Sequence, residues 1–238
     1  MEQQPLHKQL LDACEEGNLE KLKESLQAGV NVHVWDDSPL QWASSSGHLE
    51  VVKYLVEEAG VDIHSKNEWI LGTASSNGHL EVVKYLIEEA GADVHTQNDE
   101  ALRYASLYGH LEVVKYLIEE AGANVHAVYD SSLRCASMNG HLKVVKYLIE
   151  EAGADVQADD DSSLQWASYN GHLKVVKYLI EEAGADVHAE NDLALREASG
   201  NGQLKVIVYL LDSGANPLVM NSKMMEYLPV NPRKRFLL

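Results

Sequence analysis

A Gly-His dipeptide returns every 31 residues along this chain, at Gly47-His48, Gly78-His79, Gly109-His110, Gly140-His141 and Gly171-His172, and Gly202-Gln203 continues the series. Each opens nearly the same segment: HLEVVKYLVEEAG at 48–60, HLEVVKYLIEEAG at 79–91 and 110–122, HLKVVKYLIEEAG at 141–153 and 172–184, then the drifted QLKVIVYLLDSG at 203–214. NLEKLKESLQAG at 18–29 is an earlier relative and makes a seventh unit. A fixed period of this length means that one small supersecondary unit is copied. A unit so short cannot bury its apolar stripe alone, so its stability must come from the copies on either side.

The pattern inside the unit is helical. Leu49, Val52, Leu55, Val56 and Ala59 fall at spacings of three and four, which puts them on one face, and Gly60 suits a left-handed C-cap. Before each Gly-His lies a shorter segment, such as SPLQWASSS at 38–46 or EALRYASLY at 100–108, in which Leu and Ala three apart mark a second helical face. Each unit therefore reads as an antiparallel helix pair.

The order small residue–Leu–x–x–Ala, Gly-His-Leu-Glu-Val-Val, Leu-Ile, Ala-Gly-Ala-Asp-Val resembles the ankyrin repeat from residue 6 to about residue 217. The family's usual period is about 33. Its Thr-Pro-Leu-His start survives here only as Ser38-Pro39-Leu40-Gln41, and Glu57-Glu58-Ala59-Gly60 carries one more residue than the family, read here as lengthening the second helix. The shortened connection from Gly60 to Gly78 should truncate or abolish the projecting β-hairpin finger. The expected fold is an all-α, ankyrin-like helical solenoid of about seven helix–turn–helix repeats. Residues 1–217 would form the solenoid, with pairs near 6–28, 38–59, 69–90, 100–121, 131–152, 162–183 and 193–213. Residues 218–238 would be a C-terminal capping segment and tail, with Met224, Met225, Tyr227 and Leu228 covering the last repeat and Pro229 and Pro232 ending any helix. The end units use a glycine spacing one shorter than the internal ones, as capping repeats could. The recurrent phrase HLEVVKYLIEEAGADVH is most similar to ankyrin proteins encoded by large DNA viruses of amoebae.

Charge narrows the partners. With 19 Lys and Arg against 37 Asp and Glu the net charge is −18, so phosphate backbones are repelled and nucleic acid is not expected as a partner. No apolar run approaches the ~18 residues of a membrane span, and MEQQPLHKQLLDACEEG lacks a signal pattern. Cys14 and Cys135 lie too many repeats apart to pair in one chain, as in a reducing compartment. The expectation is an intracellular, cytoplasmic chain, in the host-cell cytoplasm if viral, that touches no membrane and is a monomer on its own.

Eleven histidines invite a metal. However, His48, His79, His110, His141 and His172 occur once per repeat, and stacked repeats hold them roughly 10 Å apart, whereas two ligands on one ion need nitrogens ~2 Å from it. The imidazole is expected to bond to backbone at the turn. The second series, His33, His64, His95, His126 and His188, is broken by Gln157. The Glu pairs from Glu57-Glu58 to Glu181-Glu182 sit at helix C-termini and do not converge; Lys53 four residues before Glu57, and its copies, can offset their charge. No Ser–His–Asp set, phosphate loop or CxxC motif occurs, so neither catalysis, metal nor cofactor is expected. The Ala-Ser pairs supply small side chains for close helix packing.

What varies is more informative. Two residues past the invariant Leu stand Trp42, Thr73, Tyr104, Cys135, Trp166 and Glu197, and just before the glycines stand Ser45-Ser46, Ser76-Asn77, Leu107-Tyr108, Met138-Asn139, Tyr169-Asn170 and Gly200-Asn201. The resemblance places these on the short helix that lines the concave groove of ankyrin stacks. Trp42, Arg103, Tyr104, Leu107, Tyr108, Arg134, Met138, Trp166, Tyr169 and Arg196 are the candidate partner-binding residues, because aromatics, Met and Arg concentrate interface energy. Trp42, Tyr104 and Trp166 could equally pack between repeats. Glu50, Glu81 and Glu112 give way to Lys143, Lys174 and Lys205, a charge change that neutral drift explains more simply than a partner. The reading is a non-catalytic protein–protein interaction module with a protein partner of unknown identity. The alternative is an adaptor to ubiquitin ligase machinery, because the Leu228-Pro229 tail is faintly similar to the F-box-like ends of poxviral ankyrin proteins, although too short for an intact F-box.

Overall fold

The computed structural model describes residues 3–33, 38–64 and 69–220. Among the described residues every regular element is helical, without a strand, so the expected all-α fold with no β-hairpin finger holds. Among the described residues fourteen α-helices form seven consecutive pairs, and the residue contacts divide them between two compact units, Met1–Asn124 and Val125–Leu238.

The first unit contains α1 (Gln3–Glu16), α2 (Leu19–Gln27), α3 (Ser38–Ser45), α4 (Leu49–Glu57), α5 (Trp69–Ser76), α6 (Leu80–Glu88), α7 (Thr96–Tyr108) and α8 (Leu111–Glu119). The second contains α9 (Ala127–Met138), α10 (Leu142–Glu150), α11 (Ala158–Tyr169), α12 (Leu173–Glu181), α13 (Ala189–Gly200) and α14 (Leu204–Asp212), followed by a 3-10 turn at Pro217–Val219 against α13. Within each unit the first helix of a pair packs on its own second helix and on the first helices of neighbouring pairs, and second helices pack on second helices. The capping role assigned to Met224, Met225, Tyr227 and Leu228 falls outside the described residues.

One leucine in each of five first helices (Leu40, Leu102, Leu133, Leu164, Leu195) and in each of five second helices (Leu55, Leu86, Leu117, Leu148, Leu179) is fully buried. Each such burial is worth about 1.5–3 kcal/mol. The alanines beside them, Ala43, Ala74, Ala105, Ala136 and Ala167, are small enough to let first helices approach closely. The serine after each alanine is buried too, and Ser44, Ser75, Ser106, Ser137, Ser168 and Ser199 leave their hydroxyl oxygens without a hydrogen-bond partner.

Three bonds recur from repeat to repeat. His48 Nε2 donates to the Glu15 carbonyl at 2.8 Å, His79 to Ser45 at 2.8 Å, His110 to Ser76 at 2.8 Å and His172 to Met138 at 2.9 Å, each reaching back one repeat. Gln203 makes the same bond to Tyr169 at 3.0 Å. The expectation that these histidines bond to backbone at the turn is met, and it explains the Gly-His pairing: a side chain on Gly47, already left-handed at φ 77°, would collide with the His79 ring. The second bond was not foreseen. The buried carboxylates of Asp99, Asp130, Asp161 and Asp192 accept the backbone N–H of Asn124 (2.9 Å), Asp155 (3.0 Å), Asp186 (3.0 Å) and Asn216 (3.0 Å) in the next repeat. In three of them the Nδ1 of His95, His126 or His188 also donates, at 3.0 Å.

Two local departures have physical causes. The extra residue in Glu57-Glu58-Ala59-Gly60 does not lengthen the helix: α2, α4 and α14 all have nine residues. It widens the following turn instead, since the N–H groups of Glu58 and Ala59 both donate to the Tyr54 carbonyl at 3.0 Å. At the site where a finger would project, Gln97–Asp99, Val128–Asp130, Asp159–Asp161 and Glu190–Asp192 form a left-handed turn with φ between 50° and 60°. Non-glycine residues held in this left-handed region cost about 1–2 kcal/mol each. The aspartate that closes each turn carries the carboxylate that bonds to the next repeat.

Candidate protein-binding surface

The spacing that builds the core also decides what faces outward. In α11, Leu164, Ala167 and Ser168 point inward, so Trp166, Tyr169 and Asn170 are left exposed. Trp166 is 41% exposed, and its ring centroid lies 5.5 Å from that of Tyr169 with the planes tilted by 56°. Such tilted aromatic pairs are mutually stabilising and hold each other in one orientation. Met138 is half-buried at the register of Tyr169 one repeat earlier, and Cys135 occupies the same intermediate position before Trp166.

The other candidates divide between surface and scaffold. In the first unit Trp42 and Tyr108 are exposed and Leu107 is half-buried. Tyr104 lies over Gly72 of the previous repeat, its Cδ2 3.2 Å from where a β-carbon would stand, and burial with the nearby Glu100 carboxylate raises its phenol above the ordinary range. Tyr104 is thus a packing residue, whereas Trp42 and Trp166 lie open. Arg103 faces Glu100 at 3.6 Å and points at the Gln97 carbonyl at 3.5 Å. In the second unit Arg196 donates to the Glu190 carbonyl at 2.9 Å, and Arg134 pairs with Asp159 at 2.9 Å. All three arginines brace left-handed turns.

The structure also exposes residues absent from the expected strip. Trp69 opens α5 and is exposed, and Val128 and Tyr129 protrude from a left-handed turn, Tyr129 at 73%. Their positions in other repeats hold residues such as Glu100 or Asn98, so a comparison of those columns would have revealed them.

The second helices present a surface already occupied by the chain itself. Tyr85 donates its hydroxyl to Glu57 at 3.0 Å, Tyr116 to Glu88, Tyr178 to Glu150 and Tyr209 to Glu181, each at 2.9 Å. Lysines lie over these rings: Lys53 over Tyr85 at 5.6 Å, Lys84 over Tyr116 at 5.8 Å, Lys146 over Tyr178 at 4.5 Å and Lys177 over Tyr209 at 5.2 Å. Glu57, Glu88, Glu150 and Glu181 are thereby held by the next repeat's tyrosine, and Lys53 serves a ring where a bond along its own helix to Glu57 was expected. Burial, and then the bond to glutamate, push Tyr85 and Tyr116 up to about 12 and raise Tyr178 and Tyr209 in the same direction.

Elsewhere the chemistry is sparse. Burial pushes the Cys14 thiol up to about 12, which keeps it protonated and unreactive. A groove of about 370 Å³ between α1 and α2 is lined by Asp12, Glu16, Lys21 and Glu24, with Lys21 paired to Glu16 at 2.8 Å. Among the described residues no three His, Cys, Asp or Glu side chains gather as metal ligands would, and no helix is long and apolar enough to cross a membrane.

A family description of ankyrin repeats, in three copies, matches residues 10–98, 60–129, 102–191 and 133–221. The chain belongs to the ankyrin repeat family. No curated protein matches it. Ankyrin repeats are in general protein–protein interaction modules and not catalysts. In this ankyrin chain the left-handed turns stand where the family's fingers would project, and the inter-repeat bonds fall on the constant residues of the motif.

Proposed function

We propose that this ankyrin chain binds a partner protein through the outward face of its first helices, with Trp42 and Tyr108 contributing in the first unit and Met138, Trp166 and Tyr169 in the second. The observation that carries this reading is the division of labour between constant and varied positions. The constant histidines, aspartates, tyrosines and glutamates are committed to neighbouring repeats, while the varied positions hold exposed aromatics that no internal contact requires. Large aromatics left in water are the anchors on which interfaces concentrate their energy. Arg103, Arg134 and Arg196 support the turns beside this face and act on a partner through that bracing.

Affinity capture with the full chain from the cells that produce it is expected to recover a stoichiometric protein. Trp166→Ala or Tyr108→Ala should lose that protein while circular dichroism and melting stay as in the parent. Retention of the partner by both variants would refute the reading. Acting alone as a monomer in the cytoplasm is part of the same proposal. The phrase HLEVVKYLIEEAGADVH is what supports a viral source, and with it a host-cell setting. The ubiquitin-adaptor alternative rests on Leu228-Pro229, outside the described residues; deleting residues 218–238 would separate it, abolishing ligase association and sparing partner capture.

A further inference from the structure

The Trp166–Tyr169 pair has an unusual neighbour. One repeat further along the same face, Glu197 stands at the register of Trp166 and Gly200 at the register of Tyr169. A β-carbon on Gly200 would meet nothing within 4 Å, so the floor beside the aromatic pair is open. The second unit thus carries an aromatic pair on α11 and, at the same register on the neighbouring helix α13, a carboxylate and a position without a side chain.

The same unit shows what such rings accept. On its second helices, Tyr178 carries Lys146 over its face at 4.5 Å and Tyr209 carries Lys177 at 5.2 Å. Among the described residues no cation is stacked on Trp166 or Tyr169. The two arginines nearest in sequence are turned elsewhere: Arg134 to Asp159, and Arg196 to the Glu190 carbonyl. Asp160 and Glu190 add exposed negative charge on the adjoining turns, within a chain whose net charge is −18. An aromatic face and a carboxylate together favour a cationic side chain, through the ring quadrupole and direct charge attraction.

We propose that the patch formed by Trp166, Tyr169, Glu197 and Gly200 receives a single Lys or Arg side chain from a basic segment of the protein partner. The inference rests on the first-helix face being the binding surface, and it assigns the chemistry of the occupant there. It also makes Glu197 a specificity residue and Gly200 a position that must stay small.

The test is a selection from a library of random short peptides against the full chain, followed by fluorescence anisotropy on the winners. The winners are expected to share a Lys or Arg whose replacement by Ala weakens binding on the order of tenfold. Glu197→Lys and Trp166→Ala should each weaken binding at least as much, with unchanged thermal melting, while a change at exposed Lys174 on the second helix α12, Lys174→Ala, leaves it intact. Winners that lack Lys and Arg, winners indifferent to Glu197→Lys, or a selection that yields no binder would overturn the proposal. The two readings fail differently. Neutral peptides lost on Trp166→Ala would sink the cationic occupant and leave the surface standing, whereas peptides indifferent to every first-helix variant would sink both.

Discussion

Replacing Asp130 by alanine removes a carboxylate that touches two partners in its own unit. Its Oδ1 accepts the Asp155 N–H at 3.0 Å and the His126 Nδ1–H at 3.0 Å, with the aspartate side chain 7% exposed and the histidine 58%. The two contacts should differ in weight. A backbone N–H bonded to a buried carboxylate is worth about 1.5–3 kcal/mol, and alanine would leave that N–H without an acceptor. The contact with so exposed a histidine contributes about 0.5 kcal/mol. Asp130→Ala should therefore cost about 2–3 kcal/mol, lowering the melting temperature by roughly 4–12 °C for a chain of this size. Asp130→Asn keeps an acceptor without charge and should cost about half as much, and His126→Ala about 0.5 kcal/mol or less. Urea titration followed by circular dichroism, with thermal melts alongside, would establish the order. If Asp130→Ala melts like the parent, or if His126→Ala is as damaging as Asp130→Ala, the bond to the next repeat's backbone is not what the aspartate supplies.

Ser75→Ala and Ser168→Ala each remove a buried hydroxyl that has no partner, and each should stabilise by about 0.5–1 kcal/mol in the same titration. Val128 is a β-branched residue at φ 51°, so Val128→Asn should raise the urea midpoint by an amount equivalent to about 1 kcal/mol, and a lowered midpoint would count against strain in the turn. Raised tyrosine pKa values mean that the folded chain keeps phenolic protons that the unfolded chain has released; stability should hold up to about pH 10 and fall between there and about pH 12. Tyr85→Phe with Tyr116→Phe should flatten that alkaline decline in pH-dependent denaturation. Asp161 has Gln157 where its counterparts have histidine, and burial, chiefly, raises its pKa. Folded Asp161 therefore holds its proton more tightly than in the unfolded chain, and its contribution weakens as pH rises through the folded value. Asp161→Asn should accordingly be milder than Asp130→Asn at neutral pH.

The helix pairs, the glycine caps and the loss of the finger were legible because they depend on spacing, and spacing recurs along the sequence with only the end units one residue shorter. The histidine bonds were legible from position alone, since a residue that recurs once per repeat can reach only its neighbour. The aspartates recur just as regularly, yet their partner is a backbone N–H about 25 residues ahead that no side-chain pattern reveals. The extra residue before Gly60 could have extended a helix or widened a turn, and hydrogen bonding to Tyr54, not composition, decides for the turn. A left-handed turn built on Val128-Tyr129-Asp130 contradicts every local preference of its first two residues; closure to the next repeat overrides propensity there. At the candidate site, the variable columns contain Trp42, Tyr108, Trp166 and Tyr169, which the structure leaves exposed. They could not separate these from Tyr104, which packs on Gly72, or from the arginines that brace turns, because exposure and bonding follow from neighbours in space.

Photo-crosslinking tests most directly the claim that the varied face binds while the constant face holds the stack together. A benzophenone amino acid placed at Tyr169 on α11, and separately at exposed Lys177 on α12, would be irradiated in the cells that make the protein. A discrete adduct of one size from position 169, with none from position 177, is the result expected. An adduct from position 177 alone would place the partner on the opposite helices and contradict the account.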